Sequence, residues 1–280
     1  MRPLLALLFF TACSCTMMPL NKVVMRQLHD TPFTAVAGQM LGAASLLALL
    51  PWTYRTTADV YRCLILPPLF ATMLVTSMLS LQHASLGSIM AIRNTAPLIC
   101  LPCEHCLVAP QQLDAKTVAA LLLVLGGCVG YVWHDLHTTP VGVALTITNT
   151  LVGVVDRLVQ RHLLSTTEVS KCSVLFVNNL VGGGLVAALV AAHGEDVGAA
   201  AQKEGAHVPW ALSVGVGLLL GYAGVLAQAH VSATTHLLVT NLNRILVLLI
   251  GSAFLSESVR WMQWVAAGAS VAGTVAYSLG

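Results

Sequence analysis

The chain has 280 residues, of which 57% are hydrophobic and only 9% charged, and its formal net charge is +2. Soluble proteins carry about 25% charged residues, so a water-soluble fold of this length could not cover its surface with 13 basic and 11 acidic side chains. The composition therefore excludes a secreted enzyme, a nucleic-acid-binding protein and a disordered scaffold, and it indicates an integral membrane protein.

Ten apolar segments follow one another along the chain, each close to the ~20 residues that a helix needs to cross a bilayer. The first of them also resembles a signal peptide with a small-residue site near Ala12. Its apolar run continues to Leu20, however, so we interpret it as a first membrane span. The predicted spans are 3–22, 33–52, 62–82, 85–106, 116–133, 140–162, 171–192, 208–229, 233–255 and 260–279.

The ten spans divide into two halves of five, residues 1–137 and 138–280. Because five is odd, the halves have opposite orientations in the membrane, which is the inverted-repeat design of many transporters. The predicted fold is thus an all-α integral membrane protein with about ten transmembrane helices in two inverted five-helix repeats. Basic residues, Arg157 among them, are more frequent in the loops on one side, which places both termini in the cytosol.

Two arginines lie near the middle of predicted spans. Arg93 is about eight residues from the start of the fourth span and Arg244 about ten from the start of the ninth, so each is roughly 12–15 Å deep. A buried arginine costs at least ~2.5 kcal/mol and must face water or a negative charge. The nearest acids along these segments, Glu104 and Glu257, follow about three turns later. The pattern therefore favours an anion brought by a substrate, with an internal salt bridge as the structural alternative.

Several amides lie at a similar depth. Asn178 and Asn179 occupy the middle of the seventh span, and because adjacent helical side chains point about 100° apart, only one of them can face a given neighbouring helix. Amides offer donors and acceptors that suit the edge of a nucleobase. Asn94, Asn241 and Asn243 add three more. Together with the arginines they predict a polar chamber for a large, anionic, hydrogen-bonding solute.

Three cysteines, Cys100, Cys103 and Cys106, have the spacing of metal ligands. No second cluster completes a site, so no metal site is predicted. His236 lies on the same approximate face as Thr240 and Asn243 and is predicted to line the chamber. No nucleophile–base pair, glycine-rich phosphate loop or pair of mid-membrane acids is found, which argues against an intramembrane hydrolase and a proton pump.

At these residues the sequence resembles the nucleotide-sugar transporter branch of the drug/metabolite transporter superfamily, and most of all the GDP-mannose transporters. The stretches that carry the resemblance are Asn21-Lys22, IRNTAPLICLPCE (92–104), FVNN (176–179) and SATTHLLVTNLNR (232–244). The chain departs from the family motifs at Val177 and His236, where the family has tyrosine. It also has Thr240-Asn241 in place of Gly-Ala, and these bulkier residues are expected to narrow the pocket beside the sugar.

The resemblance implies roles for particular residues. The two adjacent asparagines of FVNN would bind the base, Arg93 the diphosphate, and Asn243 with Arg244 the sugar and phosphates. The whole predicted substrate-binding set is Asn21, Lys22, Arg93, Asn94, Phe176, Asn178, Asn179, His236, Thr240, Asn241, Asn243 and Arg244.

The function that the resemblance implies is an antiporter, not an enzyme, that exchanges GDP-mannose for GMP by alternating access. It would be a multi-pass protein of the Golgi membrane, in contact with lipid, and its oligomeric state is left open, with a homodimer as one option. No cofactor or nucleic acid is expected. The alternatives are a plastid-type sugar-phosphate/phosphate exchanger, a non-transporting pseudo-transporter, and a metal carrier that uses the cysteines and histidines.

Overall fold

The computed structural model describes residues 3–49, 61, 63–96, 98–99, 115–166, 171–230, 243, 246–247, 249–250 and 260–279. Within this part of the chain every regular secondary-structure element is an α-helix and no strand is present, so the predicted all-helical class is confirmed. The helices are α1 (Pro3–Gln27), α2 (Pro32–Ala48), α3 (Leu66–His83), α4 (Leu86–Arg93), α5 (Ala115–Trp133), α6 (Pro140–Thr166), α7 (Lys171–His193), α8 (Val197–Gln202), α9 (His207–His230) and α10 (Trp261–Leu279).

Five of the described helices, α1, α5, α6, α7 and α9, are long and apolar enough to cross a membrane. Their outward faces carry large exposed hydrophobic side chains, such as Leu122 and Val129 on α5. In water such a surface would be costly, whereas lipid solvates it well. The helical bundle therefore fits an integral membrane protein. The number of ten spans stays a prediction, because nearly all of the segment 233–255 lies outside the described residues.

The long helices pack in antiparallel pairs, which are α1 with α9, α2 with α7, α3 with α6, and α5 with α10. Small residues allow the closest approaches, as is usual where helices meet in membranes. On α5, Gly127 lies against the backbone of α10 at Ser270, and on α10, Gly273 lies against the backbone of α5 at Ala120. These contacts fix the α5–α10 pair.

Replacing Gly127 with alanine is expected to destabilise the protein. The new Cβ would lie 2.5 Å from the Ser270 backbone nitrogen and 2.6 Å from the Ala266 carbonyl oxygen, so the two helices must separate. Overpacking of this kind costs about 1–3 kcal/mol. Gly126→Ala is the matched control, since no heavy atom outside its immediate helical surroundings lies within 4 Å of its added Cβ. Both variants gain the same helix propensity, so equal melting temperatures in detergent would contradict the proposed packing role.

The loop between α7 and α8 binds the start of α2. The Glu195 carboxylate accepts hydrogen bonds from the backbone nitrogens of Phe33 (3.0 Å) and Thr34 (2.7 Å), which are unsatisfied donors at the helix N-terminus. A negative charge there is also stabilised by the helix dipole. Nearby, Lys203 forms an exposed ion pair with Asp30 at 3.1 Å. These contacts join the 28–34 turn to the 193–203 segment at one end of the bundle.

The loop between α5 and α6 is organised by one buried carboxylate. Asp135 accepts hydrogen bonds from the hydroxyls of Ser85, Ser88 and Thr138 and from the backbone nitrogen of His137. Burial by itself would raise the pKa of Asp135, but the four donors outweigh it and hold the pKa below its ordinary value. The ionised side chain thereby fastens the N-terminus of α4 to this loop, and α4 carries Arg93 at its other end.

Candidate functional site

Arg93 is the last residue of α4 and is held by uncharged partners from three other helices. Its Nη2 donates to Ser77 Oγ on α3 (2.9 Å) and to Asn149 Oδ1 on α6 (2.7 Å), while Nη1 contacts the sulfur of Met18 on α1 at 3.4 Å. Its Nε is buried without a hydrogen-bond partner. Among the described residues no carboxylate lies within 4.0 Å of this guanidinium. The positive charge therefore lacks compensation within the described part of the chain, and an anionic ligand would supply it.

Asn149 positions this arginine, and sequence reasoning missed it. Its side chain is buried and donates to the Met73 carbonyl oxygen (2.5 Å) and to Thr76 Oγ1 (3.2 Å), both on α3. Its remaining oxygen is therefore directed at the guanidinium of Arg93. One turn further along α6, Gly153 packs against Met73, which keeps α3 and α6 close at this level. The α3–α6 pair thus sets where the guanidinium lies.

A second arginine, Arg157, and an acid, Asp156, follow Asn149 on α6. Arg157 is counted among the basic residues of the loops, but it lies on α6, within the predicted span 140–162. It is close enough for its charge to repel that of Arg93 and to attract Asp156. Asp156 is buried, with 6% of its surface exposed, and its Oδ1 has no hydrogen-bond partner. A signal for it exists in the sequence, since Asn149 and Asp156 are seven residues apart and so share a face of a helix.

The two adjacent asparagines of α7 have different surroundings, as the sequence predicts. Asn179 Nδ2 donates to the Leu175 carbonyl oxygen of its own helix at 2.7 Å. Asn178 is 2% exposed, and its buried Oδ1 has no hydrogen-bond partner among the residues that the structure describes. Phe176, at the start of the same motif, is half-buried. The two asparagines therefore differ in whether the protein itself supplies a hydrogen-bond partner.

Asn243 is buried and lies close to α1. Cys15 Sγ contacts its carbonyl oxygen at 3.6 Å, and Cys15 lies one turn before Met18, which contacts Arg93. Both side-chain polar atoms of Asn243 are buried and have no hydrogen-bond partner in the described part of the chain. Helix α1 thus contacts both Asn243 and Arg93, which belong to different halves of the chain. The predicted residues His236, Thr240, Asn241 and Arg244 lie outside the described residues.

Lys22 and Asn94 form hydrogen bonds with residues other than the partners of Arg93. Lys22 Nζ donates to the carbonyl oxygens of Leu81 (2.6 Å) and Ala84 (2.7 Å), the unsatisfied acceptors at the C-terminus of α3. Asn94 Nδ2 donates to Ser270 Oγ on α10 at 3.3 Å. In the structure, these two predicted binding residues connect helices.

Asn21 belongs to a buried polar network between α1, α2 and α9. Its Oδ1 accepts from Gln39 Nε2 at 3.1 Å, and the same nitrogen donates to Ser213 Oγ at 2.7 Å. Gln39 and Ser213 carry no signal in the sequence beyond being polar residues in apolar segments. Their mutual hydrogen bonds compensate for their burial, so the structure gives Asn21 a role in joining three helices.

A bundle of apolar helices that encloses an uncompensated arginine and unpartnered amides is typical of a membrane transporter for a polar, anionic substrate. The chain is 23% identical over 224 residues to GDP-fucose transporter 1 of Arabidopsis thaliana. This alignment covers 77% of the present chain and 65% of the relative, so the chain spans less than two thirds of that protein's length.

A solved structure described only as "Crystal structure of protein" superimposes with a TM-score of 0.66 at 15% identity, covering 98% of this chain and 96% of that one. The fold is therefore shared with a known structure over almost its whole length. No family model matches the chain. The chain is thus similar in sequence to a GDP-fucose transporter, and its helical bundle contains helices suited to crossing a membrane.

Proposed function

We propose that this protein is a nucleotide-sugar antiporter that exchanges a GDP-linked sugar for GMP by alternating access. GDP-mannose is the substrate that the sequence motifs imply, and the name of the Arabidopsis relative adds GDP-fucose as a second member of the same class. The observation that carries the proposal is the partly buried Arg93 guanidinium, which lies among neutral side chains and whose Nε has no hydrogen-bond partner within the described part of the chain.

The unpartnered groups around Arg93 match the chemistry of such a substrate. Leaving a buried polar group without a hydrogen bond costs about 1–3 kcal/mol, so a fold retains several of them where a ligand or water satisfies them. A guanidinium is well suited to phosphate oxygens, which it binds through two parallel hydrogen bonds. The unpartnered amide atoms of Asn178 and Asn243 suit a base and a sugar, which both donate and accept hydrogen bonds.

Alternating access requires two halves that can rock against each other, and the helix packing supports the proposed inverted repeats, 1–137 and 138–280. In the order of the ten predicted spans, α1 and α9 are the first and eighth, and α3 and α6 are the third and sixth. Exchanging the first five spans with the last five therefore converts the α1–α9 pair into the α3–α6 pair. The same exchange maps the α2–α7 and α5–α10 pairs onto themselves. This is the pattern expected of an inverted pair of five-helix units around a central site.

The proposed setting is the Golgi membrane, with both termini in the cytosol and lipid around the bundle. In this orientation the hydrogen-bonded end that contains Glu195, Phe33 and Lys22 faces the lumen. We propose that these contacts close the lumenal side while the cytosolic side admits a GDP-sugar. A homodimer is compatible with this mechanism and is not required by it.

Counterflow in liposomes tests the proposal. The purified protein, reconstituted into liposomes loaded with GMP, is expected to accumulate external radiolabelled GDP-mannose or GDP-fucose. Empty liposomes are expected to accumulate neither, because exchange is obligatory. Equal uptake into loaded and empty liposomes would contradict antiport.

The same preparation separates the alternative functions. Uptake competed by triose phosphate but not by GMP would favour a sugar-phosphate/phosphate exchanger. Absence of thermal stabilisation by every nucleotide and nucleotide sugar in a panel would favour a non-transporting protein. Zinc uptake without nucleotide exchange would favour a metal carrier.

A further inference from the structure

Asp156 is a buried carboxylate that the proposed function has not yet used. It lies on α6 with 6% of its surface exposed, and its Oδ1 has no hydrogen-bond partner. An ionised carboxylate only accepts hydrogen bonds, so this oxygen requires an N–H or O–H donor. Burying an ion without such a donor is strongly unfavourable. The side chain is therefore matched to a donor brought by a ligand.

The unpartnered oxygen of Asn178 lies on α7, which packs against α3 as α6 does. Val159, one turn after Asp156 on α6, packs against an apolar cluster that includes Val174 and Val177 of α7. Asn178 follows Val177, and its Oδ1 is a second buried acceptor without a hydrogen-bond partner among the described residues. A ligand that satisfies the Asp156 carboxylate best presents adjacent N–H donors along one edge.

Of the common nucleobases, guanine has this edge. Its N1–H and its 2-amino group are adjacent donors, and a carboxylate can accept from both at once. Adenine and cytosine place a ring nitrogen acceptor beside their amino group, and uracil has a single N–H between two carbonyl oxygens. An anionic carboxylate would repel the acceptor atoms of these three bases.

The distance between Asp156 and the arginine site suits a nucleotide. Asn149, which holds Arg93, precedes Asp156 by seven residues, or about 10 Å along the helix axis. That is the scale on which a nucleotide separates its base edge from its phosphates. Arg157 lies beside the acid and attracts it, which partly offsets the cost of burying a charged carboxylate.

We propose that Asp156 selects guanine by accepting hydrogen bonds from its N1–H and 2-amino groups, while Arg93 binds the phosphates at the other end. This inference rests on the proposed function and deepens it, since it names the residue that determines the base.

Base analogues test the inference on the wild-type protein. GMP is expected to bind about tenfold more tightly than IMP, which lacks the 2-amino group, because one hydrogen bond to a charged group is lost. A 1-methyl-GMP probe is expected not to bind. Dissociation constants are measured by titration calorimetry in detergent.

The Asp156→Asn variant is expected to switch the preference. Its amide can donate to the 2-oxo group of xanthine and accept from the xanthine N1–H, so XMP should become the preferred ligand and GMP affinity should fall at least tenfold. Asp156→Glu keeps the carboxylate and is expected to retain the order GMP over IMP with weaker binding. Asp135→Asn is the matched control, because that buried carboxylate is bonded within the protein. It should lower the melting temperature and leave the order of ligands unchanged.

The outcomes separate this inference from the proposed function. Equal affinity of the wild type for GMP and IMP overturns the role of Asp156, as does an Asp156→Asn variant that keeps the wild-type order of ligands. Tight binding of GMP in either case leaves the nucleotide-sugar transporter standing. A wild type that binds no nucleotide and exchanges none overturns both. If Asp156→Asn does not fold, the wild-type analogue series and Asp156→Glu still decide the question.

Discussion

Arg93→Met is expected to abolish exchange of GDP-sugar for GMP while the protein stays folded. Methionine has a similar length but provides neither charge nor donors for a phosphate. Truncating one partner of a buried, hydrogen-bonded charge pair costs about 3 kcal/mol, which corresponds to roughly a 100-fold loss of affinity. The measurement is counterflow of radiolabelled GDP-mannose into GMP-loaded liposomes, at matched amounts of reconstituted protein.

The melting temperature of the Arg93→Met variant should not fall although its exchange activity does, which distinguishes a binding role from a structural one. The guanidinium is paired with Ser77 and Asn149, which are neutral, and with no described carboxylate. Replacing an uncompensated buried ion with an apolar side chain is often neutral or stabilising. The melting temperature without ligand is therefore expected to stay constant or rise, and stabilisation by GMP is expected to disappear.

Two further variants sharpen this prediction. Arg93→Lys keeps the charge but loses the planar pair of donors, so intermediate exchange is expected. Lys116→Met removes an exposed cation at the start of α5 and should leave exchange unchanged. Wild-type exchange by Arg93→Met would show that this arginine does not bind substrate.

The helices could largely be predicted from the sequence because apolar segments of membrane length leave few alternatives to a helix. The predicted segment 116–133 and the observed Ala115–Trp133 differ by one residue. The first segment was predicted to end at Lys22, where polarity rises, whereas α1 continues to Gln27. The reason lies in tertiary contacts, since Asn21 and Lys22 find hydrogen-bond partners on neighbouring helices and so remain inside the helix.

The partners of the site residues could not be predicted in the same way. An arginine in an apolar segment indicates a buried cation, but its hydrogen-bond partners Ser77 and Asn149 come from positions 16 and 56 residues away. Asp156 was missed because, together with Arg157, it resembles the polar end of a span. In the structure α6 extends to Thr166, four residues beyond the predicted end of the span at residue 162, and Asp156 is buried within it.

Asn178 and Asn179 are expected to contribute unequally to nucleotide binding, although the motif treats them as a pair. Asn178→Ala removes the buried oxygen that has no partner within the protein, and it is expected to weaken GMP binding about tenfold. Asn179→Ala removes a side chain whose nitrogen already donates to the Leu175 carbonyl. Its loss of affinity should be smaller. Titration calorimetry of both variants with GMP measures the difference.

The stability of the same two variants provides the control. An unpartnered buried acceptor contributes a desolvation cost and no compensating hydrogen bond, so its removal offsets the contacts that Asn178→Ala loses in the apo protein. The apo melting temperature of that variant should therefore stay near the wild-type value even as ligand-induced stabilisation falls. Equal affinity losses in the two variants would mean that the orientation of Asn178 does not determine base recognition. A larger loss in Asn179→Ala would reverse their roles, because the Leu175 contact must then break when the substrate binds.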